Sequence, residues 1–389
     1  MVITFKIIDA QDRLRVESPQ LIYQSFFTTL GSESGGYGTV DVVGTDSLIF
    51  PYSNPALIST RHLSGAVEIA KNENSRDPFP FKFDNRWLVP SYGVIQFPFK
   101  AWKMAVGYAN HYDLQLKTDL EEIITIQQPA GTGEFWDARI NIQLHSFFSA
   151  LQYNFHPKFS MGLNFGINYL RRRDEAFNIT AKADAWSWQT VLGVAYKPDE
   201  NLILAASYRY LSDIEYELEI SGDNLLVTEP DTGITGVNEM PASRLQSEVT
   251  GEAQFPWEIK VGMSYCFLAK FHLFGMINFQ HWSRVDSEFE DQQQLHVGLQ
   301  GRLFSTTRLS VGFFTQWEAD QRDLSSWKYL SSKFITLGLS QKLFQKIKFN
   351  ISYLDSRLFT HPDIERDFDG DVDSFHQIKV ILGVQYTLF

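Results

Sequence analysis

From the region of His62 onward, apolar and polar residues alternate with a period of two. Between Ser160 and Tyr169, one face is Met161, Leu163, Phe165, Ile167 and Tyr169, and the other is Ser160, Gly162, Asn164, Gly166 and Asn168. Successive side chains of a β-strand point to opposite faces, so this spacing predicts a strand with one apolar face and one face of small polar residues. The pattern returns with Ile347, Phe349, Ile351 and Tyr353 against Lys348, Asn350 and Ser352, and with Val261, Met263, Tyr265 and Phe267 against Lys260, Gly262 and Ser264. It returns again with Leu309, Val311, Phe313 and Trp317 against Ser310, Gly312 and Gln316.

Read this way, the chain holds about fourteen strands, near 62–71, 88–98, 102–113, 139–154, 158–173, 184–197, 201–220, 246–267, 270–285, 291–304, 307–320, 332–344, 347–359 and 374–389. Many exceed the roughly 5–6 residues of globular sheets and reach the 9–11 or so that a tilted strand needs to cross a bilayer. Short connections such as Phe155-His156-Pro157 and Ser305-Thr306 alternate with long polar ones at 72–87, 114–138, 174–183, 221–245, 286–290, 321–331 and 360–373. Short turns on one side and long polar loops on the other predict an all-β, transmembrane antiparallel barrel, and a soluble sandwich has no reason to sort its loops so.

Composition narrows the reading. The most apolar stretch, Val261 to Phe279, is interrupted by Lys270 and His272, which excludes a membrane-crossing helix of about 18 uncharged residues. Aromatic residues are 15% of the chain, and Trp87, Trp102, Tyr112, Tyr169, Tyr210, Trp257, Trp282, Trp317, Tyr353 and Tyr386 fall near strand ends, as two interfacial girdles require. A net charge of −12 argues against a nucleic-acid partner. The one basic cluster, Arg171-Arg172-Arg173, is followed at once by Asp174 and Glu175 and reads as a strand end.

Chemistry-bearing motifs are sparse. A single cysteine, Cys266, excludes an internal disulfide and thiolate metal clusters, and no cofactor is expected. Asp367, Asp369, Asp371 and Asp373 alternate around Gly370, a weak candidate for Ca²⁺ whose spacing departs from the EF-hand pattern; a solvated acidic loop is the default. No nucleophile elbow, phosphate loop or zinc-protease motif appears, and the spacing of His111, His145 and His281 fixes no triad, so no enzyme is expected. Phe274, Met276 and Phe314 are apolar residues on faces otherwise occupied by Asn278, Gln280, Ser310 and Gln316. They are candidates either for a substrate pocket or for packing against a plug. Arg209, Lys260 and Arg302 point inward by the same pattern, where they can meet a substrate carboxylate or plug acids such as Asp41 and Asp46.

Residues 1–61 do not alternate. Gly35-Gly36-Tyr37-Gly38 and the proline-bearing run from Phe50 to Ile58 are unsuited to interior strands. We therefore expect two parts, a 1–61 plug (hatch) in the lumen and a 62–389 barrel. The opening residues Met1 to Lys6 show no basic stretch, apolar core or cleavage site. An exported barrel needs such a signal, so either the numbering begins inside a longer precursor, or the start is misplaced, or the protein is not exported, which would undo the barrel reading.

The ordered set of motifs resembles the FadL family of outer-membrane channels for long-chain fatty acids and other hydrophobic molecules. The glycine-rich 35–38, Asp46 and Asn54-Pro55-Ala56-Leu57 are similar to its plug signature, with Asn54, Pro55 and Ala56 the motif itself. Val89-Pro90-Ser91-Tyr92-Gly93 and Lys103-Met104-Ala105-Val106-Gly107 resemble its second and third strands. Val194 to Pro198, Ser207-Tyr208-Arg209, Gln254 to Glu258 and His281 to Val285 resemble later hairpins. The resemblance implies a monomer in the outer membrane, in contact with lipid and lipopolysaccharide. It also implies a hydrophobic small-molecule substrate that leaves sideways through the wall at a kink of the third strand. Gly107 is the only glycine of that strand, and hence the candidate gate. Related barrels that act in assembly or secretion, and a general porin, are the alternatives.

Overall fold

The alternation is realised as antiparallel strands that close on themselves. The computed structural model describes residues 30–388 apart from 47, 59, 75–80, 84–88, 119–120, 123–134, 137, 177–178, 223–244, 269, 286–288, 317–331, 345 and 357–376. Fourteen wall strands follow one another. They are β1 (Ser64–Asn74), β2 (Phe81–Phe83 and Val89–Phe99), β3 (Trp102–Thr118), β4 (Ala138–His156), β5 (Phe159–Ala176), β6 (Ile179–Tyr196), β7 (Leu202–Leu211 and Ile214–Gly222), β8 (Leu245–Ala253 and Glu258–Phe267), β9 (Phe271–Gln280), β10 (Gln292–Arg302), β11 (Thr307–Gln316), β12 (Ser332–Leu343), β13 (Ile347–Asp355) and β14 (Gln377–Thr387). Each pairs with its neighbour, and β1 pairs with β14 from Ser64↔Thr387 to Asn74↔Gln377, so no edge is left open.

The outward face is apolar across a belt. Met161, Leu163, Phe165 and Ile167 are 42–49% exposed, while Ser160, Asn164 and Asn168 on the other face are buried. Val261, Met263, Leu309, Val311, Phe349 and Ile351 continue the belt around the cylinder. Aromatic side chains border it. Trp102 packs on Tyr153 at one rim, and Tyr169 packs on Trp186, with Trp188 on Tyr210, at the other. Trp186 and Tyr196 lie about ten residues apart on β6, the length of one tilted crossing. Two of the expected girdle residues are corrected by the structure: Tyr112 and Trp282 are fully buried and turn inward. Trp87 and Trp317 lie outside the described residues.

Beyond the loop-side aromatic rim the pattern inverts. On β7, Leu204 and Tyr208 point out, but past Leu211 the apolar Ile214, Tyr216 and Leu218 are buried and Glu215, Glu217 and Glu219 are exposed. On β4, Phe147 points out, whereas Ile142 and Leu144 are buried. Outside the bilayer the outer surface meets water, so the polar residues move to it and the apolar ones line the interior.

The described residues between 30 and 58 pack inside the barrel, and two short stretches hold them between opposite walls. On one side the backbone of Gly36, Tyr37 and Gly38 lies directly against Gly338, Gly298 and Gly312 on β12, β10 and β11, where any Cβ would overlap it. Thr336 Oγ1 accepts from Gly38 N and donates to Gly36 O, both at 3.0 Å. Gly38 has φ +79°, a left-handed conformation that glycine adopts without strain. On the other side the turn at Asn54-Pro55-Ala56 sits against Gly162 and Gly193 of β5 and β6. Part of the expected 1–61 segment, residues 1–29, lies outside the described residues.

Candidate functional site

The plug motif is a structural anchor. Asn54 is fully buried; its Oδ1 accepts from Ala56 N (3.2 Å) and its Nδ2 donates to Val42 O (2.9 Å), which folds the turn onto the rest of the plug. Ala56 O accepts from Gln152 Nε2 (3.1 Å) and Ser160 Oγ (2.7 Å), tying that turn to β4 and β5.

On the short-turn side of the plug lie three buried carboxylates, each held differently. Glu68 of β1 accepts from Gly31 N, Ser32 N and Ser32 Oγ at 2.7–2.9 Å. Glu33 is paired with Lys348 and with Arg308, and accepts from Gln300 and Thr45. Burial opposes its ionisation, yet Lys348 and Arg308 hold its carboxyl below the usual range. Asp46 is paired with no cation among the described residues and accepts from Ser34 N (3.2 Å) and Gln385 Nε2 (3.3 Å). Burial first, and then the Glu33 and Glu68 charges, push it up to about 7.

On the loop side of the plug there is a cavity of about 130 Å³ between the plug residues Thr39, Asp41 and Tyr52 and the walls β3, β7, β8, β9, β10 and β11. Of the residues singled out from the sequence, Met276, Phe314 and Arg209 line it. Phe314 stacks between His296 (5.5 Å) and Phe334 (4.6 Å). Phe274 lies elsewhere, stacked under Tyr37 at 4.3 Å, and belongs to the packing of the plug. Arg209 covers the Tyr52 ring (4.3 Å), donates to Tyr52 O (3.1 Å) and lies 3.9 Å from Glu258. Lys260 is paired with Asp41 at 2.8 Å. Arg302, expected to face inward, is exposed.

Above the cavity the inverted strand ends bring their apolar side chains together in a buried cluster. Tyr112, Leu114, Ile142, Leu144, Leu211 and Phe255 are among its buried residues, with Trp282 and Phe289 reaching in from the β9–β10 connection. Phe255 is delivered by a break in β8 at Gln254–Trp257, which contains Pro256. The cluster is not marked out by the alternation alone, although the Ile214–Leu218 run of apolar residues alternating with glutamates is its signature.

The wall at β3 is irregular beside this cluster. Among the described residues β2 pairs with β3 from Phe99↔Trp102 to Tyr92↔Ala109 and at Phe81 to Phe83, with residues 84–88 outside the described residues. On its other side β3 bulges at His111, so that the pairing with β4 jumps from Asn110↔His145 to Tyr112↔Leu144. Opposite lies Pro90, which has no N–H to donate. Ser91 Oγ and Asn110 Oδ1 are buried with no hydrogen-bond partner among the described residues. Gly107, by contrast, sits in regular ladder on both sides, and a Cβ there would strike the Phe148 ring and Gly93 O. The irregular residue of the third strand is thus His111, visible in the sequence as a phase shift from Ala105-Gly107-Ala109 to Tyr112-Leu114.

The remaining sequence candidates are not gathered into a site. His281, Ser283 and Asp291 meet, but Asp291 Oδ2 (2.8 Å) and Ser283 Oγ (3.5 Å) both face the same nitrogen, Nδ1, which ties a loop rather than relaying a proton. Arg172 is paired inward with Asp174 (2.6 Å), and Arg173 with Asp184 (2.5 Å). Asp367, Asp369, Asp371 and Asp373 lie outside the described residues.

No protein-family model and no curated protein matches the sequence. Solved structures do match. The chain is similar to the toluene transporter TodX of Pseudomonas putida, with a TM-score of 0.64 at 12% identity over 92% of this chain and 98% of that one. It is similar to the toluene transporter TbuX of Ralstonia pickettii (TM-score 0.63, 12% identity, 92% and 98% covered). It is also similar to a FadL homologue of Pseudomonas aeruginosa (TM-score 0.65, 12% identity, 94% and 100% covered). The chain has the fold of these FadL-type channels.

Proposed function

We propose that this protein is an outer-membrane channel for the passive uptake of hydrophobic small molecules, long-chain fatty acids or hydrocarbons among them, and that its cargo leaves sideways through the barrel wall. The observation that carries the reading is a cavity lined in part by Met276 and Phe314, between the packed inner segment and a buried apolar cluster of the strand ends. A water-filled pore offers an apolar solute no gain, whereas burial against such side chains removes it from water at roughly 25 cal/mol per Å² of apolar surface. Residues 30–58 stand where a general porin needs open water. With the straight path obstructed, the wall at the β3 bulge, where Ser91 Oγ and Asn110 Oδ1 are buried with no hydrogen-bond partner among the described residues, offers an exit into the membrane, and His111 joins that exit to the cavity. The structural neighbours TodX and TbuX are toluene transporters, which supports an apolar cargo. Insertion as a monomer among lipid and lipopolysaccharide belongs to the same proposal.

The test is uptake of a hydrophobic fluorophore by outer-membrane vesicles carrying the protein, compared with a variant lacking His111. Deleting that one residue restores the β3–β4 register and straightens the wall. Uptake is expected to fall at least tenfold while the plug remains protected from protease. Gly107→Val is the companion variant. Undiminished uptake without His111 would remove the lateral route, and uptake equal to empty vesicles in the unaltered protein would remove the channel.

A further inference from the structure

The cavity above the plug is polar in a particular way. Its two cations are already engaged, Lys260 by Asp41 at 2.8 Å and Arg209 by Tyr52 O at 3.1 Å with Glu258 at 3.9 Å. What is left over are acceptors. Asp41 Oδ1, Glu258 Oε2, Asn278 Oδ1 and His296 Nε2 are shielded from solvent and have no hydrogen-bond partner among the described residues. Asn278 and His296 are 3% and 5% exposed, and both side chains line the cavity. The amide orientation of Asn278 follows from its Nδ2, which faces Gln294 Oε1 at 3.5 Å. The tautomer of His296 follows from Gly38 O at 2.9 Å: a carbonyl only accepts, so Nδ1 carries the hydrogen and Nε2 of the neutral ring presents a lone pair.

Four unmet acceptors beside balanced charges call for a donor without charge. A carboxylate brings only acceptors and finds both cations taken. A hydrocarbon leaves every acceptor unmet, which is costly for buried groups. An ammonium would have to shed its hydration to enter and then stand beside Arg209 and Lys260. We propose that the cavity selects an apolar molecule bearing a neutral hydroxyl, such as a medium-chain alcohol or an alkylphenol. The O–H donates to Asn278 or His296, and the apolar body lies along Met276 and Phe314. This rests on the uptake reading and narrows its substrate class.

Equilibrium binding of 1-nonanol, nonanoate and nonane to the full chain in lipid nanodiscs, with empty nanodiscs as the partition control, tests it. The alcohol is expected to bind about tenfold more tightly than either of the others. Asn278→Leu and His296→Phe, on different strands, are each expected to reduce that preference below about threefold. Heat-modifiable electrophoretic mobility reports whether each variant is folded, and either alone suffices. Equal or tighter binding of nonanoate or nonane, or a preference unchanged in a folded variant, overturns the hydroxyl assignment and leaves the uptake reading standing. The second result would mean that water satisfies these acceptors. Binding of all three no greater than to empty nanodiscs overturns both.

Discussion

The Tyr52 hydroxyl of the plug lies 2.6 Å from Nδ1 of His111, the residue at which the third strand bulges. One hydrogen bond thus ties the plug to the irregular part of the wall. Tyr52→Phe removes the oxygen and keeps the ring contacts with Phe148 and Tyr92. Losing one such hydrogen bond costs about 1 kcal/mol, roughly fivefold in the balance between held and released. Uptake is expected to quicken by about that factor with the melting temperature of the barrel unchanged. Identical rates would uncouple the plug from the exit.

The glycine seats on the wall make a second prediction. A Cβ at Gly298 would run into the Tyr37 carbonyl group, and β10 cannot retreat without breaking its ladders to β9 and β11. Overpacking of this kind costs about 1–3 kcal/mol. Gly298→Val is expected to unseat the plug, raising ion conductance in planar bilayers. Gly275→Ala, where the nearest atom to the new carbon is 3.8 Å away, is expected to leave conductance as it was.

Much of this architecture is legible in the chain, because a barrel wall in lipid obeys a single rule: apolar out, small or polar in. Met161 to Ile167 and Val261 to Tyr265 follow it residue by residue, and strand number and loop sorting follow with them. Three things escaped, each where the rule stops applying. Past the aromatic rim the solvent changes from lipid to water, so Ile214, Tyr216 and Leu218 face inward although they look like a lipid-facing row. At His111 one extra residue flips the phase, and a single flip is lost among the small residues preceding it. Phe274 and Phe314 are equivalent by pattern, and only the folded position of Tyr37 assigns one to plug packing and the other to the cavity.

Protonation of Asp46 gives the plug a pH dependence whose sign is fixed. The group faces Glu33, Glu68, Lys348 and the Tyr37 hydroxyl, and its pKa stands at about 7 against an ordinary value near 4. A carboxyl that holds its proton more tightly when folded contributes stability fully present below about pH 4, declining from pH 4 to 7 and lost above it. Amide protection at Gly31 to Ser34 is expected to fall between pH 5 and pH 8, after correction for intrinsic exchange. Asp46→Asn, which keeps the shape and cannot ionise, is expected to abolish that fall. A pH dependence that persists in the variant would place the titrating group elsewhere.

The inversion of the wall can be tested by placing the same charge on either side of the boundary. Phe165 is 49% exposed on the outer face of β5 within the aromatic rims, where lipid surrounds it. Arginine at the bilayer midplane costs about 2–4 kcal/mol, because its hydration is lost and hydrocarbon returns nothing. Glu217 points outward too, but on the part of β7 whose outer face is polar, between the exposed Glu215 and Glu219. There an arginine keeps its water and gains two acidic neighbours. Phe165→Arg is expected to lower the folding free energy in lipid vesicles by that amount, and Glu217→Arg to change it by less than about 0.5 kcal/mol. Comparable losses at the two positions would mean that lipid reaches past the aromatic rim, and the apolar cluster that includes Ile214, Tyr216 and Leu218 would then lie within the membrane rather than above it.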